Sequence, residues 1–129
     1  MNAHARRILI IGSVFAVLGV ALGAFGSHAL EALVDGQRLD TWQTAVRYQL
    51  IHALALLILG TIQLHTAELK LIGPAYCLAV GSLIFSGSLY VLVLLNLPIL
   101  GALTPIGGLA QIAGWIWLIL LLWRWRPTH

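Results

Sequence analysis

The chain has 129 residues, 60% of them apolar and only 9% charged. An ordinary soluble domain carries about 25% charged residues, so this chain lacks the groups to cover a water-facing surface, and a membrane protein is expected. The net charge of +3 sits at the ends of apolar runs and forms no basic stripe, which argues against nucleic acid as a partner. The single cysteine, Cys77, lies inside an apolar run, where it reads as a packing residue with no disulfide or metal-cluster partner.

A spanning helix needs about 20 mostly apolar residues to cross a core of about 30 Å. Four segments meet that length, about residues 8–29, 41–64, 71–95 and 105–123. In lipid the backbone must satisfy its own polar groups, which selects helices. The expected fold is an all-α, four-span transmembrane helical bundle with short loops, in one integral membrane domain over residues 1–129.

The first segment follows Arg6 and Arg7 and ends near Ser27-His28-Ala29, a loose mimic of a signal cleavage site. Its apolar run is longer than the roughly 7–15 residues of a signal core, and three spans follow. It is expected to be retained as a span, with no cleaved signal peptide. Gly12, Ala16, Gly19, Gly23 and Ser27 recur along it. Such small residues let membrane helices approach closely.

The loop "LEALVDGQRLD" holds Glu31, Asp35, Arg38 and Asp40. A short helical continuation at the membrane surface and a turn at Asp35-Gly36 are expected there. In the second segment Thr41, Tyr48, His52 and Gln63 fall on one stripe at about 100° per residue. Arg47 points about 140° away from His52 and is expected to pair with Glu31, Asp35 or Asp40 or to meet a lipid headgroup. The sequence "HTAELK" reads as a tight hairpin. The third segment places Ser82, Ser86 and Tyr90 on one stripe.

In the fourth segment Thr104 reads as N-cap and Pro105 as first-turn residue. Gly107, Gly108 and Gly114 supply a packing face, and Gln111 lies among them. Together with Gly19 and Gly23, these glycines are the expected helix contacts. His28, Tyr48, His52, Ser86, Tyr90 and Gln111 form a candidate polar pocket in the outer half of the bundle. There is no internal repeat of the kind that builds inverted-repeat transporters.

Lys and Arg in short loops set orientation. Arg6, Arg7, Lys70, Arg124 and Arg126 fall on one side of four spans, which places both termini in the cytoplasm. Trp42 on one side and Trp123 and Trp125 on the other suit interfacial aromatic belts.

The runs "LGAFGSHAL", "WQTAVRYQLIHALALL", "FSGSLYVL" and "LTPIGGLAQIAGW" resemble the YgdD-like small inner-membrane proteins, a family of unknown function with mitochondrial relatives. The resemblance covers nearly the whole chain, through Gly23, Gly26, His28, Trp42, Tyr48, His52, Gly87, Ser88, Tyr90, Thr104, Pro105, Gly107, Gly108, Gly114 and Trp115. Ser27 and Gln111 depart from the family pattern, which usually shows an alanine and an apolar residue there. The resemblance implies a multi-pass protein of the bacterial inner (plasma) membrane and supplies no catalytic residue.

No phosphate loop, zinc motif, intramembrane acid pair or serine nucleophile motif occurs. A non-enzymatic membrane component without cofactor or metal is therefore expected. Membrane lipids are its expected partners, and a second copy or other membrane proteins are further candidates. The alternative is binding or transport of a small molecule, ion or lipid in the polar pocket. A haem or metal site on His28 and His52 ranks last, because the two differ in depth by about 10–15 Å at 1.5 Å per residue.

Overall fold

A computed structural model describes residues 1–127. Four long helices follow in chain order: α1 Ala3–His28, α2 Gly36–His65, α3 Ile72–Leu95 and α4 Thr104–Arg124. Each is long and apolar enough to cross a membrane. Short 3-10 turns at Leu30–Ala32 and Pro98–Ala102 occupy the two connections at one end.

The helix ends follow local chemistry. Asn2 caps α1 by accepting from the N–H groups of His4 and Ala5. Asp35 caps α2 by accepting from Arg38 N at 2.8 Å, so α2 starts at Gly36, five residues before the expected Thr41. Asp35-Gly36 thus opens a helix, where a plain turn was expected. Asn96 ends α3 in the left-handed conformation, φ 51°, which Asn tolerates better than most residues. Thr104 is not the N-cap expected of it. Leu103 occupies that position, and Pro105 sits in the first turn as expected. The Thr104 hydroxyl instead meets Ser88 Oγ at 2.7 Å, tying α4 to α3.

Neighbouring helices run antiparallel. Gly12 lies against Leu56, Gly19 against Leu50 and Gly26 against Trp42, while Gly60 receives Leu9. The buried positions of α1 include Ala5, Gly12, Gly19 and Gly26, spaced by seven. That spacing keeps one seam on a partner helix. On the other flank, a Cβ on Gly107 would collide with the Phe85 backbone and the Gly81 carbonyl, and one on Gly114 would meet Leu78 at 2.8 Å. Gly108 is looser, with Phe85 ring atoms at 3.7 Å. Gly23 meets only Val46, at 3.2 Å.

The helices form an open row. α1 packs on α2, α2 on α3 and α3 on α4, with a smaller α1–α3 contact; α1 and α4 do not meet among the described residues. The core therefore lies along α2 and α3, and most of α1 and α4 faces outward. One core cluster gathers Ile8, Leu56, Leu59, Leu71, Ala75 and Leu78 near the chain-terminal end. A second gathers Leu30, Trp42 and Val93 at the opposite end.

Candidate functional site

Several polar side chains of the spans tie neighbouring helices together as clasps. Gln49 joins three helices. Its Nε2 donates to the Phe15 carbonyl of α1 at 2.9 Å, and its Oε1 accepts from the Tyr90 phenol of α3 at 2.6 Å. Trp42 packs on Tyr90, ring centroids 4.7 Å apart, and donates from Nε1 to the Leu22 carbonyl at 2.8 Å. Trp42 is 1% exposed. It is a core residue beneath Gly26, and not the interfacial belt residue expected. Ser86 Oγ donates to the Ala45 carbonyl at 2.7 Å, tying α3 to α2.

His52 belongs to a second clasp. Trp115 Nε1 donates to His52 Nε2 at 3.2 Å. His52 Nε2 must then carry a lone pair, so the proton sits on Nδ1, which faces the Tyr48 carbonyl at 2.8 Å. Both ring nitrogens are occupied, and the α2–α4 link rests on this pair. Tyr48 is 40% exposed and packs its ring against Phe85, centroids 4.7 Å apart. It lies on the outside of this clasp.

The expected single pocket of His28, Tyr48, His52, Ser86, Tyr90 and Gln111 is thus divided. Tyr90 bonds Gln49 and Ser86 bonds the Ala45 carbonyl, whereas His52 reaches Trp115 of α4 and Tyr48 packs on Phe85 of α3. His28 is exposed at the end of α1, outside both groups. It does not meet His52, and among the described residues no three His, Cys, Asp or Glu side chains converge as a metal set. Gln111 is 4% exposed, and its Nε2 has no hydrogen-bond partner. It packs against Gly81.

The two ends of the bundle are tied differently. Gln63 closes the α2–α3 hairpin by accepting from Leu71 N at 2.8 Å and donating to the Thr66 carbonyl at 3.3 Å. At the other end Arg38 donates to the Leu92 carbonyl at 3.1 Å and to Asn96 Oδ1 at 2.7 Å. Arg47 is exposed. Among the described residues no Lys or Arg nitrogen comes within 4.0 Å of a carboxylate oxygen, so the expected pairing of Arg47 with Glu31, Asp35 or Asp40 is not formed.

A crevice of about 150 Å³ lies between α1 and α3. Phe15, Leu18 and Leu22 form one wall, and Ser82, Ser86, Gly87 and Tyr90 the other, with Gln49 between them.

The sequence is similar to known proteins. The family model described as "Protein of unknown function (DUF423)" matches residues 22–108. A UPF0382 membrane protein of Staphylococcus haemolyticus is 42% identical over 115 residues, covering 89% of this chain and 93% of its own. The UPF0382 membrane protein YwdK of Bacillus subtilis is 38% identical over 115 residues, covering 88% and 94%. No solved structure matches.

Proposed function

The chain belongs to this family of membrane proteins of unknown function, and from that premise we propose that it is a non-enzymatic component of the bacterial inner membrane. The observation that carries the proposal is the use made of the intramembrane polar groups. Gln49, Tyr90, Ser86, Trp42, His52 and Trp115 all spend their hydrogen bonds on neighbouring helices. A group consumed in this way holds helices together and is not free to act on a substrate. The finer likeness to the YgdD-like proteins supports the same assignment.

The charge pattern supports cytoplasmic termini, with α1 retained as a span. Arg6, Arg7, Lys70, Arg124 and Arg126 lie at the chain-terminal end, and positive charge in short loops favours the cytoplasmic side. Lipids are the proposed partners at both surfaces, and the exposed Arg47 is a candidate for a headgroup contact by reaching along the helix. The exposed faces of α1 and α4 leave room for a second copy or another membrane protein.

Two measurements test the proposal. Reporter fusions at residues 2, 67 and 127 should all report cytoplasm, and a fusion in the 98–102 turn should report the opposite side. Substitutions that cut the clasps should lower the melting temperature in detergent. Clasp variants that melt like the parent chain would sink the structural reading.

A second reading, ligand binding within the spans, is favoured by the α1–α3 crevice.

A further inference from the structure

Ser82 lies in the middle of α3 and is 1% exposed, yet its hydroxyl has no hydrogen-bond partner. The other two buried serines, Ser86 and Ser88, are both bonded. A serine inside a helix ordinarily turns back to the carbonyl four residues earlier, as Ser13 does to Leu9 at 2.8 Å. Ser82 does not take that bond, and it lines the crevice between α1 and α3. Leaving a buried hydroxyl unpaired costs about 1–3 kcal/mol, so the position calls for an acceptor that is not part of the chain.

A second feature of the same wall points to a ligand. Gly87 has nothing within 4 Å of the place a Cβ would take. Glycine inside a helix costs about 1 kcal/mol relative to alanine, and close packing does not require it here. Its effect is to keep the crevice wall recessed.

We propose that this crevice binds the ring of a lipid-soluble quinone, with Ser82 Oγ donating to a ring carbonyl. The inference deepens the second reading and does not depend on the clasps' stabilising role. A cavity of about 150 Å³ holds a benzene-sized ring, so the crevice takes the ring itself, with its substituents lying over the exposed rim at Leu18 and Leu83. Depth narrows the chemistry. Ser82 is ten residues into α3, about 15 Å along the axis and so near the middle of a core about 30 Å thick. Phospholipid esters and headgroups stay at the interface, so an acceptor at this depth belongs to a molecule that dissolves in hydrocarbon. Phe15 and Tyr90 supply aromatic walls for offset stacking. The Tyr90 hydroxyl is already bonded to Gln49, which leaves Ser82 as the free donor. Leu18 and Leu83 are 48% and 64% exposed at the rim, which gives an isoprenoid tail a way out into the bilayer.

The test is a titration of the purified chain in detergent with ubiquinone-1, read by quenching of tryptophan fluorescence. Trp42 packs on Tyr90, a wall residue of the crevice. Saturable quenching is expected. Ser82→Ala should weaken binding about three- to tenfold, the worth of one neutral hydrogen bond. Gly87→Leu should abolish it by filling the crevice, and Gly87→Ala should weaken it by less. Butylbenzene, which lacks the acceptor, should compete poorly. Equal affinity for ubiquinone-1 in the parent, Ser82→Ala and Gly87→Ala chains would overturn the proposal, as would butylbenzene binding as tightly as the quinone. Should Gly87→Leu fail to fold, the Ser82→Ala and Gly87→Ala pair decides alone. Melting of the clasp variants is a separate readout, so failure here leaves the structural reading standing.

Discussion

Trp115 Nε1 donates to His52 Nε2 at 3.2 Å, across the gap between α4 and α2. Among the described residues the backbones of these two helices do not approach closely, so this side-chain pair is a direct polar tie between them. It also fixes the imidazole. The indole is a donor only, so the histidine must accept on Nε2 and keep its proton on Nδ1, where the Tyr48 carbonyl receives it.

That assignment predicts the tautomer. Imidazole nitrogen shifts from labelled protein should show an Nδ1-protonated, neutral His52. Trp115→Phe should change the shift of Nε2 and lower stability by about 0.6–1.7 kcal/mol, the measured scale of helix–helix hydrogen bonds in membranes. An Nε2-protonated ring in the parent chain would contradict the assignment.

The glycines predict a graded response. Gly107→Ala should cost about 1–3 kcal/mol, because its Cβ would meet the Phe85 and Gly81 backbones, which cannot yield as a flexible side chain would. Gly108→Ala meets only Phe85 ring atoms at 3.7 Å and should be neutral or slightly stabilising. Thermal melts of the two variants in one detergent compare them directly. Equal losses would mean that α3 and α4 do not approach as described.

Arg38 and Arg47 predict opposite outcomes. Arg38→Ala removes the donors to the Leu92 carbonyl and Asn96 Oδ1 and should cost about 1–2 kcal/mol. Arg47→Ala removes an exposed side chain without a protein partner and should leave detergent stability within about 0.5 kcal/mol. A large loss for Arg47→Ala would show that it is tied to the fold.

Span number and approximate limits could be read from hydropathy, because lipid imposes both length and internal backbone bonding. Of the glycines expected at helix contacts, Gly19, Gly107 and Gly114 are tightly packed, but Gly108 has room for a Cβ, Gly23 meets a single side-chain atom, and the α1 seam runs through Ala5, Gly12, Gly19 and Gly26. Neighbour relations were not legible. A helical wheel places Tyr48, His52 and Gln63 on one stripe, yet it cannot say which helix each part of the stripe meets. Tyr48 turns out beside Phe85, and Gln63 closes a hairpin. Gln49, the residue that joins three helices, was missed because it sits about 60° from His52 on the side away from Tyr48. A buried glutamine in an apolar span is a signal in itself, since its amide must find partners. Trp42 misled by position, because a tryptophan near a span end suits both a belt and a core. What separates them is Gly26 on the neighbouring helix, which makes room for the ring.

The central claim is that intramembrane polar residues serve as clasps between helices, and the Gln49–Tyr90 bond at 2.6 Å tests it most directly. A double-mutant cycle of Gln49→Leu, Tyr90→Phe and their combination, read as unfolding free energy in detergent, isolates the pair. A favourable coupling of about 0.6–1.7 kcal/mol is expected. Purely additive losses, or no loss in either single variant, would contradict the claim.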